Sequence, residues 1–322
     1  MSEGETSIAK GRRLGIAKTF VAQSIVDRVK LGDVIKRTPL PTLEISRLKV
    51  LHFNANKAAT CEAKLAEKGT ECGRMYPENY AAGGAITCRG PVRGALYGRH
   101  YVEVDMAAAH PTAFAYLARQ SGIPTPAVCR YLSSRTRYLK GVARAFRRSE
   151  EHAKRLFNAA LYGSRNNTVV GDDGVSREID KTIDGDDEAE ECRRLLQMYI
   201  REVQDVTGKL LKDPKIQKDH APNLKRVWDS KEASQLFKLL EVVERFAIHA
   251  MLTAIEETGG EFVPGEIIFD GILVRHKDGG DPGSWDDVLA ARPEQTTPGR
   301  MLAGREPRLW APGEARAPRE IA

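Results

Sequence analysis

Tyr101-Val102-Glu103-Val104-Asp105-Met106-Ala107-Ala108-Ala109-His110-Pro111 is the stretch on which the fold turns. It opens as an alternating, β-branched run, so Val102 and Val104 share one strand face and Tyr101, Glu103 and Asp105 the other. Pro111 fits the first turn of a helix, where its missing N–H costs nothing. Asp105 therefore stands where a strand hands over to a helix that runs to about Gly122. Far downstream, Glu266-Ile267-Ile268-Phe269-Asp270-Gly271-Ile272-Leu273-Val274 is an apolar run interrupted by Asp-Gly, a strong short-range hairpin signal. These two strands are expected to be neighbours in one sheet and to present Asp105 and Asp270 to a shared pair of divalent ions. Taken alone, Asp270 reads as an ordinary turn aspartate.

The chain has 322 residues, 41% hydrophobic and 29% charged, enough for one large domain or two ordinary ones with a real core. No apolar run approaches the roughly 20 residues needed to cross a bilayer. The start, Met1 to Ser7, lacks a basic segment followed by an apolar one, so a secreted protein is not expected and an intracellular one, nuclear or cytoplasmic, is. The net charge of +6 is the sign expected for a phosphate-backbone binder. Five cysteines at irregular spacing, with no C-x-x-C pair, indicate neither a zinc site nor a disulfide framework.

Along the chain, Ile16 to Ile35 and Leu43 to Lys68 read as helices, the second carrying an alanine-rich stretch from Ala55 to Ala66. A glycine-rich loop with Gly73-Arg74-Met75-Tyr76 follows, then a short strand at Ala85-Ile86-Thr87. Arg74 and Arg93, on loops before Asp105, are phosphate-binding candidates, with a salt bridge as the equal alternative for each. Helices are expected over Pro126 to Leu132 and Ser134 to Tyr162. At about 100° per residue, Arg147, Lys154, Asn158 and Leu161 of the latter fall within a sector of roughly 60°, with Tyr162 at the edge. Such a face can take a triphosphate on its cations and a base on its ring. Taken alone, the helix reads rather as an amphipathic one with an exposed basic side. Gly163 ends it.

Val169 to Val175 reads as a small hairpin. Asp180 to Glu191 is a near miss to a calcium-binding loop, with Thr182 where an acid belongs, and reads rather as the acidic first turn of a helix from Glu188 to Leu211. A long amphipathic helix is expected from Lys231 to Thr258, with Leu236, Leu239, Leu240, Val243, Phe246, Ala247, Ala250, Met251 and Ala254 on its core stripe. Beyond His276 the composition is that of a disordered tail.

Strand-Asp, then a helix with Lys-x7-Tyr-Gly, then Asp in a hairpin is an order that resembles the palm and fingers of family A DNA polymerases and single-subunit phage-type RNA polymerases. Asp105…His110-Pro111 and Phe269-Asp270-Gly271 look closer still to the TV-Pol branch of mobile elements and viruses. The resemblance spans about Gly73 to Arg275. It implies an α+β right-hand palm with a small antiparallel sheet and largely helical fingers (96–276), a helical, thumb-like N-terminal region (1–95) and a tail (277–322). It also implies a DNA polymerase that extends a strand by two-metal phosphoryl transfer, with Mg²⁺, or Mn²⁺ as the alternative, held by Asp105, Asp270 and the backbone carbonyl of Met106.

Lys154, with Arg147 or Arg155, would neutralise the phosphates; Tyr162, with Asn158 and Gly163, would lie against the nucleotide. His110 takes the place of a residue near the sugar, or else caps its helix. Partners implied are a DNA template-primer, nucleoside triphosphates and a helicase or primase. The sequence departs from family A in three places. Glu150 stands where an arginine belongs, for which Arg147 would substitute; Asn158 replaces an aromatic; and Gly271 follows the second aspartate. A primase or RNA polymerase on the same palm, a degenerate palm that only binds nucleic acid, and a metal-dependent nuclease are the alternatives.

Overall fold

The computed structural model describes residues 19–26, 28–37, 40, 42–54, 60–67, 75–77, 84–88, 90–98, 100–162, 168–170, 176–178, 186–218, 232–256, 262–268 and 270–276. Among these, helices predominate and the sheets are small and antiparallel. The chain divides into two compact units. One comprises Gly15–Ala107 and the residues from Arg245 onward; the other contains Ala108–Glu244.

The first unit holds two sheets. In one, β1 (Thr19–Ile25), β2 (Thr60–Glu67) and β3 (Met75–Pro77) lie in the order β1-β2-β3. In the other, β4 (Val102–Asp105), β7 (Phe262–Ile268) and β8 (Gly271–His276) lie in the order β4-β8-β7. Strands separated by more than 150 residues of chain are thus neighbours: Val102 pairs with Val274, Val104 with Ile272 and Asp105 with Gly271. The helices α1 (Arg28–Arg37), α2 (Thr42–Asn54) and α3 (Gly90–Tyr97) belong to the same unit. Leu31, Leu48, Leu96, Tyr97, Tyr101 and Leu273 meet in its core.

This N-terminal region corrects the helical expectation. Thr19 to Ile25 is a strand rather than helix, because a β-branched, aromatic run pairs along its whole length with β2. The alanine-rich stretch contributes Thr60 to Glu67 to that pairing. Its helix propensity is overridden by partners on both sides, β1 and β3. Ala85–Thr87 is a 3-10 turn, not a strand. The cause is a carboxylate far along the chain: Glu266 accepts the amide hydrogens of Ala85 (2.5 Å) and Ile86 (3.1 Å). Two adjacent amides aimed at one acceptor cannot serve a strand ladder.

The second unit is helical, with α4 (Ala109–Gln120), α5 (Pro126–Ser133), α6 (Arg135–Ala145), α7 (Glu150–Leu161) and α8 (Asp187–Lys212). A hairpin of β5 (Thr168–Val170) and β6 (Ser176–Glu178) lies where the sequence places one. The first half of the near miss to a calcium loop, 180–185, lies outside the described residues, and the second half opens a helix. Asp186 caps α8 by accepting from the Ala189 amide at 2.9 Å. Helix α8 packs on α5, α6 and α7, with Tyr131, Phe157 and Tyr199 clustered between them: Tyr131 stacks on Phe157 at 4.1 Å, and Tyr199 meets both edge-on. The helix α9 (Glu232–Glu256) begins in this unit and ends in the other; of its expected stripe, Leu236, Leu239, Leu240, Val243, Ala247 and Met251 are buried and Phe246, Ala250 and Ala254 half-buried.

The single helix expected from Ser134 to Tyr162 is two. The chain breaks at 146–149, where Arg147 takes a left-handed backbone (φ 51) and Ser149 starts α7, its hydroxyl accepting from the His152 amide. Glu150 and Glu151 follow in the first turn, favourable with the helix dipole.

Candidate functional site

In the first unit the two aspartates stand at the same end of one sheet. Asp105 is the last residue of β4 and is exposed; Asp270 lies in the turn that joins β7 to β8. The amide of Met106 donates to the carbonyl of Asp270 at 3.0 Å, which ties the turn to the end of β4. Gly271, the first residue of β8, pairs with Asp105. A Cβ there would lie 2.9 Å from the Val104 carbonyl and 3.3 Å from the Asp105 carboxylate. The Asp-Gly signal is therefore met in an unforeseen way. The turn ends one residue before the glycine, and glycine is required by close approach rather than by a positive φ. Phe269 lies outside the described residues.

Two carboxylates at one strand end are hard oxygen donors. They fit a Mg²⁺ that takes the rest of its shell from substrate phosphates and water. Among the described residues, no group of three or more His, Cys, Asp and Glu could hold a metal by itself.

Arg93 is spoken for. Its guanidinium grips Glu103, the strand neighbour of Asp105, at 2.7 and 3.1 Å and donates to the Cys88 carbonyl. The salt-bridge alternative applies to it; Arg74 lies outside the described residues. On β7, Glu266 is buried against the turn that begins at Gly84. Burial pushes its carboxyl up to about 7 against the opposing pull of the two amides and Arg93. Gly84 (φ +124) leaves room for it, since a Cβ there would lie 2.5 Å from the carboxylate. The Cys88 thiol nearby is pushed up to about 12 by burial and by Glu266.

The second unit holds the other candidates. On α7, Lys154 and Asn158 are half-buried on one side, one turn apart, and Tyr162 follows at the C-cap, 41% exposed. Arg155 is exposed beside them, whereas Leu161 is buried and leaves that face to the polar residues. Arg147 does not share the helix at all. It precedes it, on the left-handed break, where it lines an open cavity of about 630 Å³ with Lys140, Arg144 and Arg148. Arg144 is already paired with Asp186 and Glu188. Gly163 lies outside the described residues.

His110 does not cap α4, whose N-cap is Ala108 in a left-handed conformation (φ 50). The ring is buried instead, with both nitrogens engaged. Nδ1 lies 2.6 Å from the Tyr162 hydroxyl and Nε2 2.9 Å from a carboxylate oxygen of Glu244. Phe237 meets the rings of His110 and Tyr162 edge-on at 5.5 and 5.3 Å. Glu244, in the first half of α9, is a functional candidate that the sequence reading passes over. A lone glutamate beside an apolar helix stripe carries no signal until its partner, 134 residues away, is known.

No family model matches the chain, and no match is found among curated proteins. Among solved structures the chain is similar to the POL domain of Pol1 from M. smegmatis in complex with DNA primer-template and dNTP. The TM-score is 0.50 at 13% identity, covering 82% of this chain and 51% of that one. The chain thus shares the fold of that POL domain and spans about half of its length. No described helix is long and apolar enough to cross a membrane.

Proposed function

We propose that this chain is a template-directed DNA polymerase of the TV-Pol-like branch, extending a primer with nucleoside triphosphates in the replication of a mobile element or virus. One observation carries the reading: Asp105 and Asp270, remote in sequence, stand at one end of one sheet in a chain with a polymerase-domain fold. In this reading that sheet belongs to the palm and α7 to the fingers.

Asp105, Asp270 and the Met106 carbonyl would hold two Mg²⁺ ions, with Mn²⁺ as the alternative. When bound, the ions supply charge neutralisation at the attacking and leaving oxygens of an in-line phosphoryl transfer. The protein's own groups supply position and charge. Lys154, with Arg155, balances the charge that develops on the triphosphate. Tyr162, Asn158 and Gly163 hold the nucleotide, with His110 behind the tyrosine. Arg147, off the helix, is assigned with Lys140 and Arg148 to the nucleic-acid backbone rather than the triphosphate, and Arg74 to a phosphate as the resemblance implies. DNA primer-template is the macromolecular partner; a helicase or primase would act upstream.

Primer extension with Mg²⁺ is the test. Asp105→Asn and Asp270→Asn should each abolish extension and leave DNA binding largely intact. Full activity in either variant overturns the reading. DNA binding without extension in the unaltered protein would favour a degenerate palm, and extension only from ribonucleotides without a primer would favour a primase.

A further inference from the structure

His110 is 5% exposed and is held from three sides within one unit. Edge-on contacts with Phe237 and Tyr162 keep the imidazole in its pocket. They do not decide which edge of the ring faces which neighbour. A half-turn of the ring exchanges each nitrogen with a carbon and leaves the ring-ring contacts nearly unchanged. The hydrogen bonds decide it, and the one partner with no other visible duty toward the nucleotide is Glu244, whose side chain is 1% exposed. An ionised carboxylate only accepts, so it calls for the proton on Nε2. A neutral imidazole protonated there offers its lone pair at Nδ1, where the Tyr162 hydroxyl lies at 2.6 Å and must donate.

We propose that Glu244 is a positioning residue. Through His110 it fixes the direction of the Tyr162 hydroxyl, and with it the ring that Tyr162 presents at the end of α7. Glu244 lies outside every motif of the sequence, and its role comes from the geometry alone. The geometric part stands independently, whereas its consequence for nucleotide binding rests on the nucleotide role proposed for Tyr162.

Two measurements on the full chain test it. The first is long-range ¹H–¹⁵N NMR of the His110 ring, with the signal identified by its loss in His110→Asn. The neutral ring should carry its proton on Nε2, and this preference should be lost in Glu244→Leu and become mixed in Glu244→Gln, whose amide can donate or accept. A neutral ring protonated on Nδ1, or a His110 signal unmoved in Glu244→Leu, overturns the proposal.

The second is steady-state primer extension. In both Glu244 variants the nucleotide KM should rise about tenfold while kcat changes little, the pattern of lost ground-state positioning. Glu241→Gln is the control. It removes a carboxylate equally buried on the same helix, bonded instead to Lys238, and should leave both KM and the His110 signal in place. If Glu241→Gln raises KM as much, the effect is general damage to α9 and the proposal fails. If the unaltered protein extends no primer, the polymerase reading falls, and the NMR measurement still decides the role of Glu244.

Discussion

Gly271 lies directly opposite Asp105 in the β4–β8 ladder, and a single added carbon at Gly271 would meet the Val104 carbonyl at 2.9 Å and the Asp105 carboxylate at 3.3 Å. Glycine at this position is therefore part of the site's geometry. It lets the strand carrying one aspartate close on the turn carrying the other. Gly271→Ala must displace either the end of β4 or the Asp105 side chain. Misplacement of a reacting group by about 1 Å can cost about a hundredfold in rate. Primer extension by Gly271→Ala is expected to fall by about that factor while circular dichroism stays native. Activity within about twofold of the unaltered protein would show that the glycine is dispensable.

The break before α7 redirects a second expectation. Arg147 precedes the helix that carries Lys154 rather than sharing it. It shares an open basic cavity with Lys140 instead. If that cavity follows a nucleic-acid backbone, each cation displaces counterions, and the dependence of log affinity on log salt has a slope near 0.9 per phosphate contact. The double variant Lys140→Glu, Arg147→Glu should reduce that slope for primer-template by roughly 2 and leave the nucleotide KM unchanged. A shifted nucleotide KM with an unchanged slope would return Arg147 to the triphosphate.

These outcomes follow the line between what the sequence could and could not reveal. Strands β4 and β8 were legible because both segments carry local signals, an alternating β-branched run and an Asp-Gly turn between apolar flanks; their pairing is long-range and followed from the order of the motifs along the chain. Helices α8 and α9 were legible from long apolar stripes. Strand β2 was not: Thr60 to Glu67 is rich in alanine, lysine and glutamate, and becomes a strand because β1 and β3 lie on either side of it. The break at Arg147 lies among good helix formers, and its one signal was Ser149 followed by two glutamates. Glu244 and Glu266 are set by partners 134 and about 180 residues away, so no window of sequence contains both ends of the interaction.

Tyr199 offers a test of packing in the helical unit. Its ring is fully buried against Tyr131 and Phe157, but its hydroxyl has no hydrogen-bond partner among the described residues. A buried hydroxyl without a partner carries a desolvation penalty of about 1–3 kcal/mol. Tyr199→Phe keeps the ring contacts and removes that penalty. Urea unfolding should show the variant to be as stable as the parent or more stable, by up to about 1–3 kcal/mol. A loss of stability of that size would mean that a buried water pairs with the hydroxyl.

Glu266 gives the fold a pH dependence of definite sign. Its carboxyl titrates near 7 in the folded chain against an ordinary value of 4.5, because burial outweighs the two amides and Arg93. Between those values the folded state binds the extra proton, so this group's contribution is fully present below about 4.5 and is lost as pH rises through about 7. Across the window it amounts to about 3 kcal/mol, to order of magnitude. Glu266→Gln removes the titration. It also sets an amide donor against one of the two backbone N–H groups that the carboxylate accepts, a conflict independent of pH. The stability difference between parent and variant, from urea unfolding at pH 5 and pH 8, should therefore favour the parent more strongly at pH 5. A difference that is constant with pH, or larger at pH 8, would mean that the two amides hold Glu266 ionised throughout.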